Sequence, residues 1–230
     1  MSAPLPHAGT KIVVPSVLGP QPTRPSETEL SVIASCDITV LSELVGPMYT
    51  MDGSLQALNT PVPVICGPAI TAKCTPGDNQ AMVRALSEVR PGDVLVVDAQ
   101  GFDTWCLGGE QLLTHARDRN GLAAVFVNGA YRDVNDLNAA GFPAFATAVA
   151  PYSGPKRGPG EVNVPVCCGR VVVQPGDIVS ASAEGIVVVP QFAIESVASA
   201  VAERAGSGHH DIGGFIDTIS AEFDAAAVKR

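Results

Sequence analysis

Through the middle of the chain, short apolar runs alternate with stretches whose apolar positions fall at helical spacing, and glycine or proline separates the two kinds. Val62 to Cys74 reads as a strand, with Ile70, Ala72 and Cys74 alternating against Thr71, Lys73 and Thr75. Thr75-Pro76-Gly77-Asp78-Asn79 then turns the chain and brings Asp78 to the N-cap of a helix bearing Met82, Val83, Leu86 and Val89. Pro91-Gly92-Asp93 leads into a strand from Val94 to Val97, closed by Asp98. After Gly108-Gly109, the spacing of Leu112, Leu113 and Ala116 predicts a helix that Gly121 ends. The apolar run Leu122 to Val127 predicts a buried strand stopping at Asn128-Gly129. A short helix through Val134 and Leu137 and a strand from Ala144 to Val149 follow.

The flanks differ in texture. Residues 1–25 carry Pro4, Pro6, Pro15, Pro20, Pro22 and Pro25, which forbid regular helix and predict an extended arm. Ser26-Glu27-Thr28-Glu29 has the form of a capping box and opens a helix with Leu30 and Ile33 on one face. A second helical stretch, Ile38 to Leu44, ends at Gly46-Pro47. The final third is dense in strands: Val162 to Val166, Arg170 to Val173, Asp177 to Ser180 and Ile186 to Val189. A helix with Ile194, Val197 and Val201 inward breaks at Gly206-Ser207-Gly208, and a last one starts near Asp211. Its Ile212, Phe215, Ile216, Ile219 and Phe223 share a face that needs a partner, within the fold or across a subunit contact. The pattern predicts one mixed α/β domain over residues 26–230, with C-terminal helices across 191–226. Its strand-rich end disfavours a doubly wound sheet.

Composition narrows the function classes. Hydrophobic residues make up 46% of the 230 and charged ones 16%, which predicts extra buried surface between subunits and hence a homo-oligomer. A net charge of −9 without a Lys/Arg run argues against nucleic acid or an anionic membrane as partner. No apolar run has the length of a membrane span or the form of a signal peptide, so a cytoplasmic protein is expected. The six cysteines show no Cys-x-x-Cys spacing and read as reduced thiols acting as small hydrophobes. Cys167-Cys168 as a redox or metal pair, and His209-His210 as a metal pair, are the weaker readings of those dipeptides. His7 and His115 carry no constellation, and Lys73 and Lys156 show no sign of the desolvated pocket that Schiff-base chemistry needs.

The chemistry gathers between Leu107 and Asp133. Gly108 and Gly109 bare the amides at a helix start, which with the helix dipole suit a carboxylate or phosphate. Arg132 and Asp133 follow a strand at the carboxyl edge, where open α/β sheets place ligands. Asp133 and Glu110 offer oxygen ligands to a divalent cation, and Arg132 can hold an oxyanion with its planar fork. A loop ion pair is the plainer reading of Arg132-Asp133 taken alone. Trp105 fits a pocket wall or a packed indole, and Lys156 and Arg157 are read as solvated charges.

The ordered series Gly92-Asp93-Val94-Leu95-Val96-Val97-Asp98, Gly109-Glu110, Asn120-Gly121 and Val127-Asn128-Gly129-Ala130-Tyr131-Arg132-Asp133-Val134 resembles the RraA-like family. That family includes metal-dependent 4-hydroxy-4-methyl-2-oxoglutarate/4-carboxy-4-hydroxy-2-oxoadipate aldolases. The likeness spans residues 30 to 190. It implies a layered β/β/α domain of the swivelling type, assembling as a trimer or hexamer. It further implies that Asp133 ligates Mg²⁺ or Mn²⁺, that Arg132 contacts a small 2-oxo acid, and that Glu110 steadies water beside the ion. Amides around Gly108, Gly109, Gln111 and Leu112 would hold the substrate carboxylate. The reaction implied is retro-aldol cleavage to pyruvate, with oxaloacetate decarboxylation at the same site. Some relatives instead bind a ribonuclease and modulate it. One residue more than the family commonly leaves lies between Glu110 and Arg132, so either Glu110 or Gln111 occupies the acid's place. Of the acidic run that aldolase members often carry before Gly185, only Glu184 is present. The family's C-terminal glutamate has no secure match: Glu203 lies in the right region, and His209 and His210 are the candidate substitutes.

Overall fold

The computed structural model describes residues 14–204 and 212–226. The N-terminal part of the proline-rich arm, His7 and the His209-His210 pair lie outside them. In chain order the elements are β1 (Val17–Leu18), α1 (Glu27–Ala34), α2 (Ile38–Val45), β2 (Gln56–Ala57), β3 (Ile65–Cys74), α3 (Gln80–Ala85), β4 (Val94–Asp98), α4 (Glu110–Asn120), β5 (Ala124–Tyr131), α5 (Val134–Ala139) and β6 (Ala144–Val149). They continue with β7 (Gly160–Val162), β8 (Val166–Cys168), β9 (Val171–Val173), β10 (Ile178–Ser182), β11 (Gly185–Val189), α6 (Ile194–Arg204) and α7 (Ile212–Ala226).

Strands β3, β4, β5 and β6 are parallel neighbours, added in one direction along the sheet. Right-handed crossovers made in one direction place every connecting helix on the same face. Accordingly α3, α4 and α5 cover one side, where Met82, Leu113 and Leu137 join Ile70, Leu95, Val97 and Val127 in a core. The other side is left for a second sheet. β3 is ten residues long and serves both: Ala69 to Lys73 pair with β4, while Ile65 to Pro68 pair antiparallel with β10, which pairs in turn with β11. With the β8–β9 hairpin, these strands close a second core around Phe126, Phe145, Val179 and Val188. Phe126 and Phe145 stack there with ring centroids 4.8 Å apart.

The β/β/α stack is thus present, and a further helical layer lies outside it. Ile33 of α1, Leu41 of α2 and Val197 and Val201 of α6 pack on Ile178, Val187 and Val189 of the second sheet. The expected alternation in β3 is overridden by this double cover: Thr71 is as buried as Ile70 and gives its hydroxyl to the Val164 carbonyl. The capping box forms, Glu29 N–H donating to Ser26 Oγ and Ser26 N–H to Glu29 Oε2.

Several boundaries differ from the sequence reading, each for a local reason. The strand expected to stop at Asn128-Gly129 runs on to Tyr131, because a register shift between Val127 and Ala130 absorbs the two turn formers. The run Val162 to Val166 is split between β7 and β8, with Asn163 at φ 54° between them. Asn79, not Asp78, is the N-cap of α3. Asp78 Oδ1 instead accepts from Gln80 N–H (2.8 Å) and Oδ2 from Arg157 N–H (2.6 Å), tying two loops together. Residues from Ser16 on run along this same chain: β1 pairs in parallel with β7, Gln21 bonds Glu88, and Arg24 pairs with buried Asp93.

Candidate active site

The site forms beyond the carboxyl end of β5. Cys106 to Gly108 lie beside the strand as a short extra rung: Leu107 N–H donates to the Ala130 carbonyl (3.0 Å) and Arg132 N–H to that of Gly108 (3.2 Å). On the far side, Cys106 N–H donates to the Tyr152 carbonyl (2.7 Å). Asn79 reaches in from the α3 turn and gives its amide to the Leu107 carbonyl. The glycine pair is therefore held from three directions before α4 begins.

Gly109 is the N-cap of α4 and brings no side chain to it. The first-turn amides have no acceptor within a helix, so Glu110, Gln111 and Leu112 present theirs outward. Glu110 N–H donates to Asp133 Oδ2 at 3.3 Å. Asp133 sits at the start of α5 in the left-handed region (φ 63°, ψ 39°), yet its side chain does not cap that helix. A non-glycine residue held there while its carboxylate turns to another element marks strain kept at a site.

Space is the second constraint. A Cβ on Gly109 would fall 1.9 Å from Asp133 Oδ2 and 3.1 Å from Arg132 Nε. Only glycine lets the carboxylate and guanidinium lie against the helix start. Arg132 Nε is 3.5 Å from Asp133 Oδ2, and Nη1 donates to the Pro151 carbonyl at 3.2 Å. Nε itself is buried and makes no hydrogen bond. Both side chains are partly exposed, Arg132 at 40% and Asp133 at 34%, so the pair faces an opening rather than the core.

Beneath it lies Tyr131, fully buried, its hydroxyl donating to the Gly109 carbonyl at 3.1 Å. Burial pushes this phenol well above its ordinary value, which keeps it a donor. Burial likewise raises the Cys106 thiol, which argues against a thiolate nucleophile beside Arg132.

Arg132, Asp133, Glu110, Gly108, Gly109 and the α4 amides of Gln111 and Leu112 therefore share one corner. The contact between Glu110 and Asp133 is made by the Glu110 backbone N–H and not by its carboxylate, and the Gln111 side chain is exposed. Other sequence candidates lie elsewhere. Glu184, Glu203 and His115 are exposed, as are Lys156 and Arg157, and Lys73 stands 3.8 Å from Glu161 at the end of β3. Cys168 is buried and Cys167 exposed, and both are free thiols. Trp105 is exposed at its edge and packs edge-on between Phe102 and Tyr152, over Gly77. The sequence reading gave no role to Tyr131, Asn79 or the Pro151 carbonyl. A tyrosine directly before the Arg-Asp pair was the one available signal.

Among the described residues, no three His, Cys, Asp or Glu side chains gather where they could hold one ion. The donor set at Asp133 nonetheless fits a hard cation of the Mg²⁺ kind, which takes one or two carboxylates and fills its remaining positions with water and substrate oxygens. It does not fit zinc, which needs three or four nitrogen or sulfur-rich protein ligands. Among the described residues no helix is long and apolar enough to cross a membrane.

The chain has relatives among known proteins. The model of the RraA-like family, described as Aldolase/RraA, matches residues 35–188. A protein of Halalkalibacterium halodurans named "Putative 4-hydroxy-4-methyl-2-oxoglutarate aldolase" is 35% identical over 159 residues, covering 69% of this chain and 75% of its own. Among solved structures, a Streptomyces coelicolor member of the RNase ES inhibitor RraA family superposes with a TM-score of 0.67 at 29% identity, covering 78% of this chain and 94% of its own. The RNA-processing inhibitor RraA from Thermus thermophilis superposes at 0.61 with 29% identity, over 68% and 93%.

Proposed function

Because the chain belongs to the Aldolase/RraA family, we propose that it is a divalent-metal-dependent lyase that cleaves a 4-hydroxy-2-oxo dicarboxylic acid to pyruvate. The observation that carries this reading is the Arg132-Asp133 corner: a carboxylate turned away from its own helix, beside a buried guanidinium Nε without a hydrogen bond, over uncapped amides.

Asp133 would hold the ion directly, with Glu110 steadying water beside it. A Mg²⁺- or Mn²⁺-class ion, when bound, supplies Lewis-acid polarisation of the 2-oxo group. The free amides of Gln111 and Leu112 and the backbone of Gly108 and Gly109 receive the substrate carboxylate at the positive end of α4. Cleavage breaks the bond between carbons 3 and 4. The 4-hydroxyl gives its proton to the water that Glu110 would steady and becomes a carbonyl. The electron pair passes through carbon 3 to the 2-oxo oxygen, and that water is then the proton source for carbon 3. The partly exposed guanidinium of Arg132 donates to the 2-oxo oxygen as its charge grows. Protonation at carbon 3 then gives pyruvate. Loss of carbon dioxide from oxaloacetate generates the same charge at the same oxygen, so the site would serve both reactions. Schiff-base chemistry finds no support, since Lys156 is exposed and Lys73 is paired with Glu161 at the end of β3.

The test is pyruvate release from 4-hydroxy-4-methyl-2-oxoglutarate and from oxaloacetate, with Mg²⁺, with Mn²⁺ and with chelator. Chelation and Asp133→Ala should each abolish release, and Arg132→Ala should lower it by about 10²- to 10³-fold. Turnover indifferent to metal and to both substitutions would overturn the assignment. The likeness to ribonuclease inhibitors of this family supports a second reading, a binding protein without lyase activity. No pyruvate from any 2-oxo acid offered, together with retained binding to a ribonuclease, would favour it.

A further inference from the structure

We infer that Tyr131 is a positioning residue for the Asp133 carboxylate, acting through the peptide that joins Gly109 to Glu110. For its catalytic consequence the inference rests on the metal-dependent reading above; its structural part does not.

The Gly109 carbonyl and the Glu110 N–H belong to one planar trans peptide, and in such a unit they point in opposite directions. The carbonyl accepts from the Tyr131 hydroxyl at 3.1 Å. The N–H donates to Asp133 Oδ2 at 3.3 Å. One rotation therefore sets both bonds, and fixing the carbonyl aims the amide. The hydroxyl is well placed to fix it: Tyr131 is the last residue of β5, fully buried, and its ring cannot swing away. A Cβ on Gly108 would meet the hydroxyl oxygen at 2.7 Å, so the glycine loop lies directly on the phenol. At the other end, Asp133 depends on this amide, because its side chain makes no capping bond to α5 and its remaining contact is the 3.5 Å approach of Arg132.

Phenylalanine at position 131 keeps the ring and removes only the donor. The Gly109 carbonyl then loses its anchor, the peptide plane gains rotational freedom, and the Glu110 amide no longer holds Asp133 Oδ2 in place. Partners that orient a metal ligand in this way are worth about 10- to 100-fold in metal affinity. The effect should therefore fall on the metal and not on the 2-oxo acid.

Two measurements on the full chain decide the matter. The first is amide hydrogen exchange in metal-free protein. Tyr131→Phe should speed exchange of the Glu110 amide about tenfold or more, while the Leu107 amide, bonded to Ala130, stays unchanged. The second is Mn²⁺ binding followed by electron paramagnetic resonance, paired with pyruvate release. The variant should bind Mn²⁺ about tenfold more weakly, recover its kcat when Mn²⁺ is raised by that factor, and keep its KM for the 2-oxo acid. Unchanged Glu110 exchange overturns the inference, and so does unchanged Mn²⁺ affinity in a parent protein that binds the ion. A parent that neither binds Mn²⁺ nor releases pyruvate overturns the lyase reading, and the exchange experiment still decides the tether. Should the variant not fold, 3-fluorotyrosine at position 131 keeps the shape and strengthens the donor. It must slow Glu110 exchange if the inference holds and leave it unchanged if it does not.

Discussion

At Gly109 a methyl group would have to displace the Asp133 carboxylate, since its carbon falls 1.9 Å from Oδ2. The backbone there is extended, with φ −137°, which alanine tolerates, so Gly109→Ala should fold. The cost should appear in function: pyruvate release reduced by about tenfold or more at fixed Mg²⁺, from a misplaced ligand rather than a lost one. Equal activity in the alanine variant, assayed beside a circular dichroism spectrum to show an intact fold, would mean that Asp133 has no fixed task. Arg132, Asp133 and Glu110 were legible in the sequence because charged groups next to glycines at a strand end stand out against an apolar background. Tyr131 was not, because a tyrosine closing an apolar run reads as core, and only the fold determines which carbonyl its hydroxyl meets. Asn79 was hidden for a related reason. A turn former was given the turn, while its side chain in fact braces the loop of Leu107.

Elements were legible where periodicity was long, and blurred where a single strand served two partners. Helices α4 and α5 and strands β4 and β6 follow the pattern closely, whereas Asn128-Gly129 was read as an end although the strand bends and continues. No local pattern announces a bulge, since its cause is the register of the neighbouring strand. The same dependence on neighbours governs Asp177, at the turn before β10. Its carboxylate accepts from Gln174 N–H (2.7 Å) and from Gln191 N–H (2.9 Å), pinning the second sheet to the chain entering α6. Burial nevertheless raises its pKa above the ordinary value. A raised folded-state pKa favours the neutral form, so the stability contribution is fully present below the unfolded value of about 3.9 and is lost as pH rises through the folded value. Urea unfolding between pH 3.5 and 7 should show the parent losing stability relative to Asp177→Asn across that window. A relative gain with rising pH would contradict the assignment.

On the scale of the whole molecule, parallel strands added in one direction put three helices on one face and free the other for a second sheet, which is itself backed by α1, α2 and α6. That fourth layer was not legible, because it follows from β3 being shared between two sheets, and residues 65–74 carry no mark of the handover. The last helix was legible as an amphipathic element, and its apolar face is still open. Ile212, Phe215, Ile216, Ile219 and Phe223 of α7 are each between 48% and 72% exposed. Burying a side chain of this size is worth about 1.5–3 kcal/mol, so five on one face strongly favour a covered state. The low charged fraction of the chain points the same way. Light scattering at micromolar concentration should therefore return a mass above the 23.6 kDa of one chain, three or six times it for the trimer or hexamer that the family resemblance implies. Phe215→Glu combined with Ile219→Glu should shift that mass toward the single chain while the secondary structure persists. A parent protein that runs as one chain would leave the α7 face bare in water and remove the case for assembly through it.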